Sequence, residues 1–189
     1  MIWLKRLIIG LISLVFVAIL ALWIAGMRPS RGHFEVSVMI NRSPEVVFAA
    51  LLDPEMTKKW VSGVIEIKRL TPEPAHVGTK LIIIENIDGR RVEMEEEIVY
   101  LNPPYVDKYT SKGIGEDNRF FEHGEYRLEE VEGQTKFTMI SDIKFEGFWL
   151  NLLEPLLIIG ARDKFAGDQK TLKAMLEAEP VQKIIKKSY

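Results

Sequence analysis

Residues 40–60 read INRSPEVVFAALLDPEMTKKW, and the way this stretch divides decides the fold. Asn41-Arg42 turns the chain out of an extended segment, and Ser43 stands where a helix N-cap is wanted, with Pro44 at the first helical position and Glu45 in the first turn. Val46, Val47, Ala50 and Leu51 then fall at helical spacing. Asp53-Pro54 stops this helix and caps a second short one that ends at Trp60. Two short helices joined by one Asp-Pro step cannot enclose a core alone, so they must cover a sheet.

Both flanks supply that sheet. Before the stretch, residues 33–40 (HFEVSVMI) alternate Phe34, Val36, Val38 and Ile40 with other side chains, as in a half-buried strand. After it, period two holds for about 80 residues. The spacing predicts strands at 64–71, 79–87, 91–101, 105–112, 120–131 and 135–145. Pro72, Pro74, Asp88-Gly89, Asn102-Pro103-Pro104, Gly113 to Gly115 and Glu132-Gly133 separate them. Connections this short predict an antiparallel meander. Residues 148–177 then read as one long helix, with Pro155 as a bend. Its first half is apolar almost all round; its second keeps a stripe of Phe165, Leu172, Met175 and Leu176. The expected class is α+β, a seven-stranded antiparallel curved sheet wrapped around a long C-terminal helix.

A different solvent is written at the N-terminus. Residues 7–27 (LIIGLISLVFVAILALWIAGM) carry no charge. As a helix they would extend about 31 Å, the thickness of a bilayer's hydrocarbon core. Trp3 and Trp23 lie near its ends, where indoles favour the headgroup region. A cleaved signal would show an apolar run of about 7–15 residues before a small-x-small site. This run is longer, and Trp23 takes the −3 position if Ala25 ends the leader. The expectation is a retained single-pass anchor over 1–28, a linker at 29–32, a domain at 33–178 and a basic tail at 179–189. Six extended residues reach about 20 Å at most, so the domain is expected close to the bilayer. Lys5 and Arg6 with the amino terminus slightly outweigh Arg28 and Arg31, favouring an extracytoplasmic domain.

Composition removes several kinds of chemistry. There is no cysteine, hence no disulfide, thiolate metal site or cysteine nucleophile. A net charge of −2 argues against nucleic acid as the main partner. His33, His76 and His123 are isolated, so neither a metal site nor a cofactor is expected. Gly113-Ile114-Gly115 has no helix after it and is not a dinucleotide fingerprint.

The chain resembles the START-like, SRPBCC superfamily, in its polyketide cyclase/dehydrase and lipid transport branch. The residues that carry the likeness are Ile40 to Phe48, Asp53-Pro54, Lys59-Trp60, Val77-Gly78-Thr79, Asn102-Pro103-Pro104, and Tyr126 to Glu129 with Gly133-Gln134-Thr135. They are marks of fold and say little about chemistry. The resemblance implies a helix-grip fold around an apolar cavity, in a family whose members bind lipids, hormones or polyketides and a few of which catalyse cyclisation. Positions expected on the cavity wall are Met94, Glu96, Tyr100, Glu122, Tyr126, Met139, Trp149 and Leu153.

Two of these are chemically odd. Alternation sends Glu93, Glu95 and Glu97 to the solvated face, but Glu96 shares a face with Val92, Met94, Ile98 and Tyr100. Glu122 is placed likewise with Phe120, Gly124, Tyr126 and Leu128. A buried carboxylate is costly unless paired or protonated. The plain expectation is that both reach water at the open end of the sheet or pair with Lys108 or Arg127. The leading functional expectation is a membrane-tethered, non-enzymatic binder of a lipid or other hydrophobic small molecule, with no catalytic residue. The alternatives are a cyclase/dehydrase using Glu96 or Glu122 with Tyr100 or Tyr126 as acid and base, and an interaction module with a vestigial cavity.

Overall fold

The computed structural model describes residues 2–72, 74–87, 89–115 and 119–178. The expected basic tail and Asp88 of the Asp88-Gly89 turn lie outside them. The chain begins with α1 (Ile2–Met27), followed by β1 (Gly32–Ile40), α2 (Pro44–Leu52) and α3 (Pro54–Trp60). The meander is β2 (Val64–Arg69), β3 (Lys80–Ile87), β4 (Arg90–Asn102), β5 (Val106–Gly113), β6 (Phe120–Val131) and β7 (Gln134–Phe145). α4 (Phe148–Ala178) closes the fold. One antiparallel sheet holds all seven strands in the order β1-β7-β6-β5-β4-β3-β2.

The caps form where the sequence places them. Asp53 accepts from the backbone N–H groups of Glu55 and Met56 at 2.8 and 3.4 Å, so α3 starts directly after α2 ends. Ser43 has the extended backbone of an N-cap but makes no side-chain capping bond; Pro44 and the first-turn Glu45 start α2 instead.

The packed core lies at one end of the sheet. Val46, Val47, Phe48, Ala50 and Leu51 of α2 meet Ile40, Leu128, Phe137 and Met139 of the strands and Leu172 and Leu176 of α4. Trp60 is buried to 2% exposure, its ring edge-on to Phe137 at 6.5 Å between centroids. The second half of α4 supplies the fully buried Leu172 and Leu176 of this core, with Ile158 and Ala161 of the first half packed at its margin. The first half also carries Trp149, Leu153, Leu156 and Ile159 exposed, at 70%, 45%, 67% and 55%.

The first half of α4 meets the end of α1. A side-chain carbon at Gly26 would run into the ring of Phe148, so only glycine allows this approach. The short connection to β1 is pinned as well: Ser30 is buried with its hydroxyl 3.5 Å from the Ile143 carbonyl, and the Arg31 N–H donates to Glu154 at 3.1 Å. α1 is long and apolar enough to cross a membrane and touches the domain only at its last turn.

Removing the Trp60 ring leaves a hole in the centre of this core. Trp60→Ala should cost about 3–5 kcal/mol of unfolding free energy in a denaturant titration. A change within about 0.5 kcal/mol, the exposed-site value, would mean that the ring does not support the fold.

Candidate functional site: a lipophilic cavity with an acidic wall

Where α4 leaves the core, the sheet curves away from it and a cavity of about 730 Å³ opens between them. The size is that of an ordinary small-molecule site. Its apolar lining comes from α2 and α3 (Leu51, Val61), from β2 to β4 (Ile67, Leu81, Ile83, Met94, Ile98), and from the far end of the sheet (Phe120, Ile143, Phe145). Leu156, Leu157, Gly160, Ala161 and Phe165 of α4 form the roof. An adjoining pocket shares Ile87, Phe120, Phe145 and Leu157 and widens toward Arg90, Arg119 and Leu150, beside the first half of α4.

Of the eight positions expected on the wall, Met94, Glu96, Glu122 and Tyr126 line this cavity. The other four stand elsewhere. Tyr100 is 48% exposed because a β-bulge interrupts the β4–β5 ladder between Ile98 and Tyr100. One extra residue reverses the alternation, so Tyr100 faces outward under the Lys108 ammonium, 5.9 Å from its ring centroid. Met139 faces inward but is wholly buried in the packed core. Trp149 and Leu153 face away from the sheet, since the inward side of this half of α4 falls to Leu157, Ala161 and Phe165.

The expectation that Glu96 and Glu122 meet water or a nearby cation also needs correction. Lys108 and Arg127 both pair with Glu125, at 2.8 and 2.6 Å, and are half exposed. Glu122 is 9% exposed and accepts from the Ser141 hydroxyl at 2.7 Å, with the Tyr109 hydroxyl 3.5 Å away. Tyr109 reaches it by lying flat across β6 over Gly124, where any Cβ would run into its ring. Its ring centroid is 5.2 Å from that of Tyr126. Glu93, Glu95 and Glu97 do take the solvated face, paired with Arg91, Lys80 and Lys112.

The acidic set is larger than two. In the register Leu81↔Glu96, Glu96↔Ser111 and Ser111↔Glu122, one cross-strand row runs over the cavity floor. Asp107 and Glu85 line the same cavity on opposite sides of this row, four residues along β5 from Ser111 and along β3 from Leu81, and Lys164 of α4 lies 4.0 Å from Glu85 and 3.0 Å from Asp168. Asp107, Tyr109 and Ser111 alternate along β5 as Met94, Glu96 and Ile98 do along β4, so their common inward face could have been found by the same period-two count. Glu85 sits at the end of an apolar run with no such signal.

Burial governs the protonation of these groups. Desolvation, with repulsion from Asp107, Glu122 and Glu85, pushes Glu96 up to about 8. Desolvation alone pushes Asp107 to about 7. Glu122 is raised by burial against the opposing pull of Ser141 and Tyr109. Glu85 is raised by burial and by Asp168, with Lys164 opposing. Tyr109 and Tyr126 are held well above the usual phenol range, again mainly by burial. Burial thus shifts every carboxyl of the floor toward its protonated form, beside two phenols that stay neutral. Among the described residues no group of three His, Asp or Glu could hold a metal ion.

Comparison with known proteins agrees with this architecture. The profile described as polyketide cyclase/dehydrase and lipid transport matches residues 31–177. The chain belongs to that family. Among solved structures, a protein from Chromobacterium violaceum is 17% identical, covering 77% of this chain and 97% of its own, with a TM-score of 0.61. A conserved protein from Geobacillus kaustophilus is also 17% identical, over 77% and 95%, at 0.62. Ara h 8.0201 is 16% identical, over 79% and 100%, at 0.57. At these identities the likeness is one of fold. The comparison with curated proteins finds no match. Family members join hydrophobic-ligand binding with cyclase/dehydrase-type chemistry, and α1 precedes the matched region.

A carboxyl whose folded value is raised binds its proton more tightly in the native state than in the unfolded chain. Its contribution is complete below the unfolded value of 4.5 and is lost as pH rises toward about 8. The urea midpoint of the full-length protein in mild detergent should therefore fall from pH 5.5 to 7.5. Glu96→Gln should flatten that fall by up to about 1.4 kcal/mol per pH unit, the slope of one proton. An unchanged slope would show that Glu96 ionises freely in the native state.

Proposed function

We propose that this protein is a membrane-anchored binder, and on that account a carrier, of a lipid or other hydrophobic small molecule. The observation that carries the reading is the apolar cavity of about 730 Å³ between the sheet and α4, walled by Leu81, Ile83, Met94, Ile98 and Phe165. A domain of this size ordinarily fills its interior to crystal-like density. A chamber large enough for an acyl chain or a polycyclic skeleton argues against the vestigial-cavity alternative.

The family supports the class of ligand. Retention of residues 1–28 as an anchor is supported by the length of α1 and by its seating: its last turn packs on Phe148 through Gly26, and Asn151 reaches the Gly26 carbonyl at 3.5 Å. In such an arrangement the exposed Trp149, Leu153, Leu156 and Ile159 lie at the level where α1 leaves the bilayer. An apolar collar of this kind suits the headgroup boundary. The pocket beside it is the natural entrance, so a lipid would pass from membrane to cavity without crossing water.

The enzymatic alternative draws on one feature, the Ser141–Glu122–Tyr109 network, in which a carboxyl raised by burial stands beside a phenol. It supplies general-acid chemistry. The binding reading uses the whole chamber where the catalytic one uses a corner.

Native mass spectrometry of the detergent-purified full-length protein should show a bound lipophile. Met94→Trp, which places an indole inside the chamber, should abolish that adduct and leave the fold intact; an adduct that survives would place the lipophile elsewhere. In cells, the mature chain should resist alkaline carbonate extraction with its first 25 residues intact. Extraction of a chain beginning after Ala25 would show α1 to be a cleaved signal.

A further inference from the structure

The cavity has an apolar roof and a floor with more acid than its cations can balance. Glu85, Glu96, Asp107 and Glu122 all line it, and the cations of the same wall are Lys164 and Arg69. Lys164 is drawn toward Asp168, at 3.0 Å against 4.0 Å to Glu85. Arg69 stands at the edge of the row, two strands from Glu96 through Leu81.

The decisive group is Asp107. It is 5% exposed, lines the cavity, and its Oδ1 is buried with no hydrogen-bond partner. Its cross-strand neighbours are Leu101 on β4 and Tyr126 on β6. Glu96 lines the same cavity half-buried and makes no hydrogen bond or ion pair among the described residues. Buried acceptors are satisfied in the great majority of native structures, and each exception asks for a partner. A metal ion does not fit, because among the described residues no three candidate ligands come together. The partner that fits is spread out, positive and rich in N–H donors.

We infer that the acidic floor recognises an amine-bearing lipophile, its ammonium head at the unpartnered Asp107 on the floor that Glu96 also lines, and its hydrocarbon body under Leu157, Ala161 and Phe165. This rests on the proposed reading of the cavity as a hydrophobic-ligand site and narrows its ligand class. Ammonium–carboxylate hydrogen bonds are the strong kind, and the water-poor chamber strengthens them further. The same floor rejects a carboxylate-headed lipid, which would face like charge or unpaired oxygens. Glu122 is already engaged by Ser141 and Tyr109, leaving Asp107 and Glu96 as the carboxyls open to the head.

Protonation gives the inference a second signature. Asp107 and Glu96, raised to about 7 and about 8, hold protons that an ammonium must displace. The groups that face this pair are Glu85 of β3, Tyr109 of β5, Glu122 and Tyr126 of β6, Lys164 and Asp168 of α4, and Arg69 of β2. The tyrosines stay neutral across the range in question, and Glu85 and Glu122 move in the same direction as the pair. Amine binding should therefore strengthen from pH 6 to pH 8.5, where an alkylamine remains charged throughout.

The test is equilibrium dialysis of full-length protein in zwitterionic-lipid nanodiscs, against nanodiscs alone, with labelled dodecylamine, 1-dodecanol and dodecanoate. Dodecylamine should be retained roughly ten-fold more strongly than dodecanol, as expected for one charge-assisted hydrogen bond. Dodecanoate should be retained least. The amine's advantage over dodecanol should grow with pH and vanish in the Glu96→Gln, Asp107→Asn double variant. Equal retention of amine and alcohol, or preference for dodecanoate, overturns the amine inference and leaves the hydrophobic-ligand reading standing. Retention of none of the three overturns both. The pH series uses the unmodified protein, so it decides even where the double variant fails to fold.

Discussion

Everything about this site depends on how α4 is fastened. β1 is an edge strand, and an open edge must be covered or paired. The second half of α4 covers it: Gln169 donates to the Val36 carbonyl at 3.2 Å, Lys173 to the Met39 carbonyl at 2.6 Å, and Glu177 accepts from the Asn41 N–H at 2.7 Å. Leu172 and Leu176 lie beneath, fully buried. Because one end of the helix is bolted along the sheet edge, the other need meet the sheet only at its margin, where Ile158 sits on Gly32 of β1. The seven strands curve away below it, and the chamber is the space left by that difference.

The same division separates stability from function along each strand. Toward α2 and α3 the inward positions hold Phe137, Met139 and Leu128, packed without exposure. Toward the free end of α4 they hold Met94, Glu96, Ser111 and Glu122, which have a cavity in front of them. Carboxyls in such a place hold their protons and weaken the fold as pH rises, a cost that a core built only for stability would not carry. Their presence is most simply understood as a property of the ligand.

Much of the fold was legible because its signals are local. Asp53-Pro54 sets the break between α2 and α3, and the turn residues set all six meander strands to within a few residues. The site was half legible. Glu96 and Glu122 stood out as charges on an apolar alternation, and both line the cavity. Tyr100 did not follow, because a bulge at Val99 shifts the parity of the strand and leaves no mark in composition. Met139, Trp149 and Leu153 show the limit of pattern reading: periodicity says which way a side chain points from its own element, not whether another element lies in front of it. Asp107 was missed although its strand alternates as cleanly as β4 does.

The central claim is that a hydrocarbon body occupies the chamber under α4. Photo-crosslinking tests it most directly, with a diazirine placed midway along an alkyl chain presented to the full-length protein in nanodiscs. The account predicts labelled peptides carrying Ile83 and Met94, side by side on the sheet, and Phe165 on the helix across the cavity. Label confined to α1 and to the exposed Trp149 and Leu153 would show that lipid touches this protein only from outside.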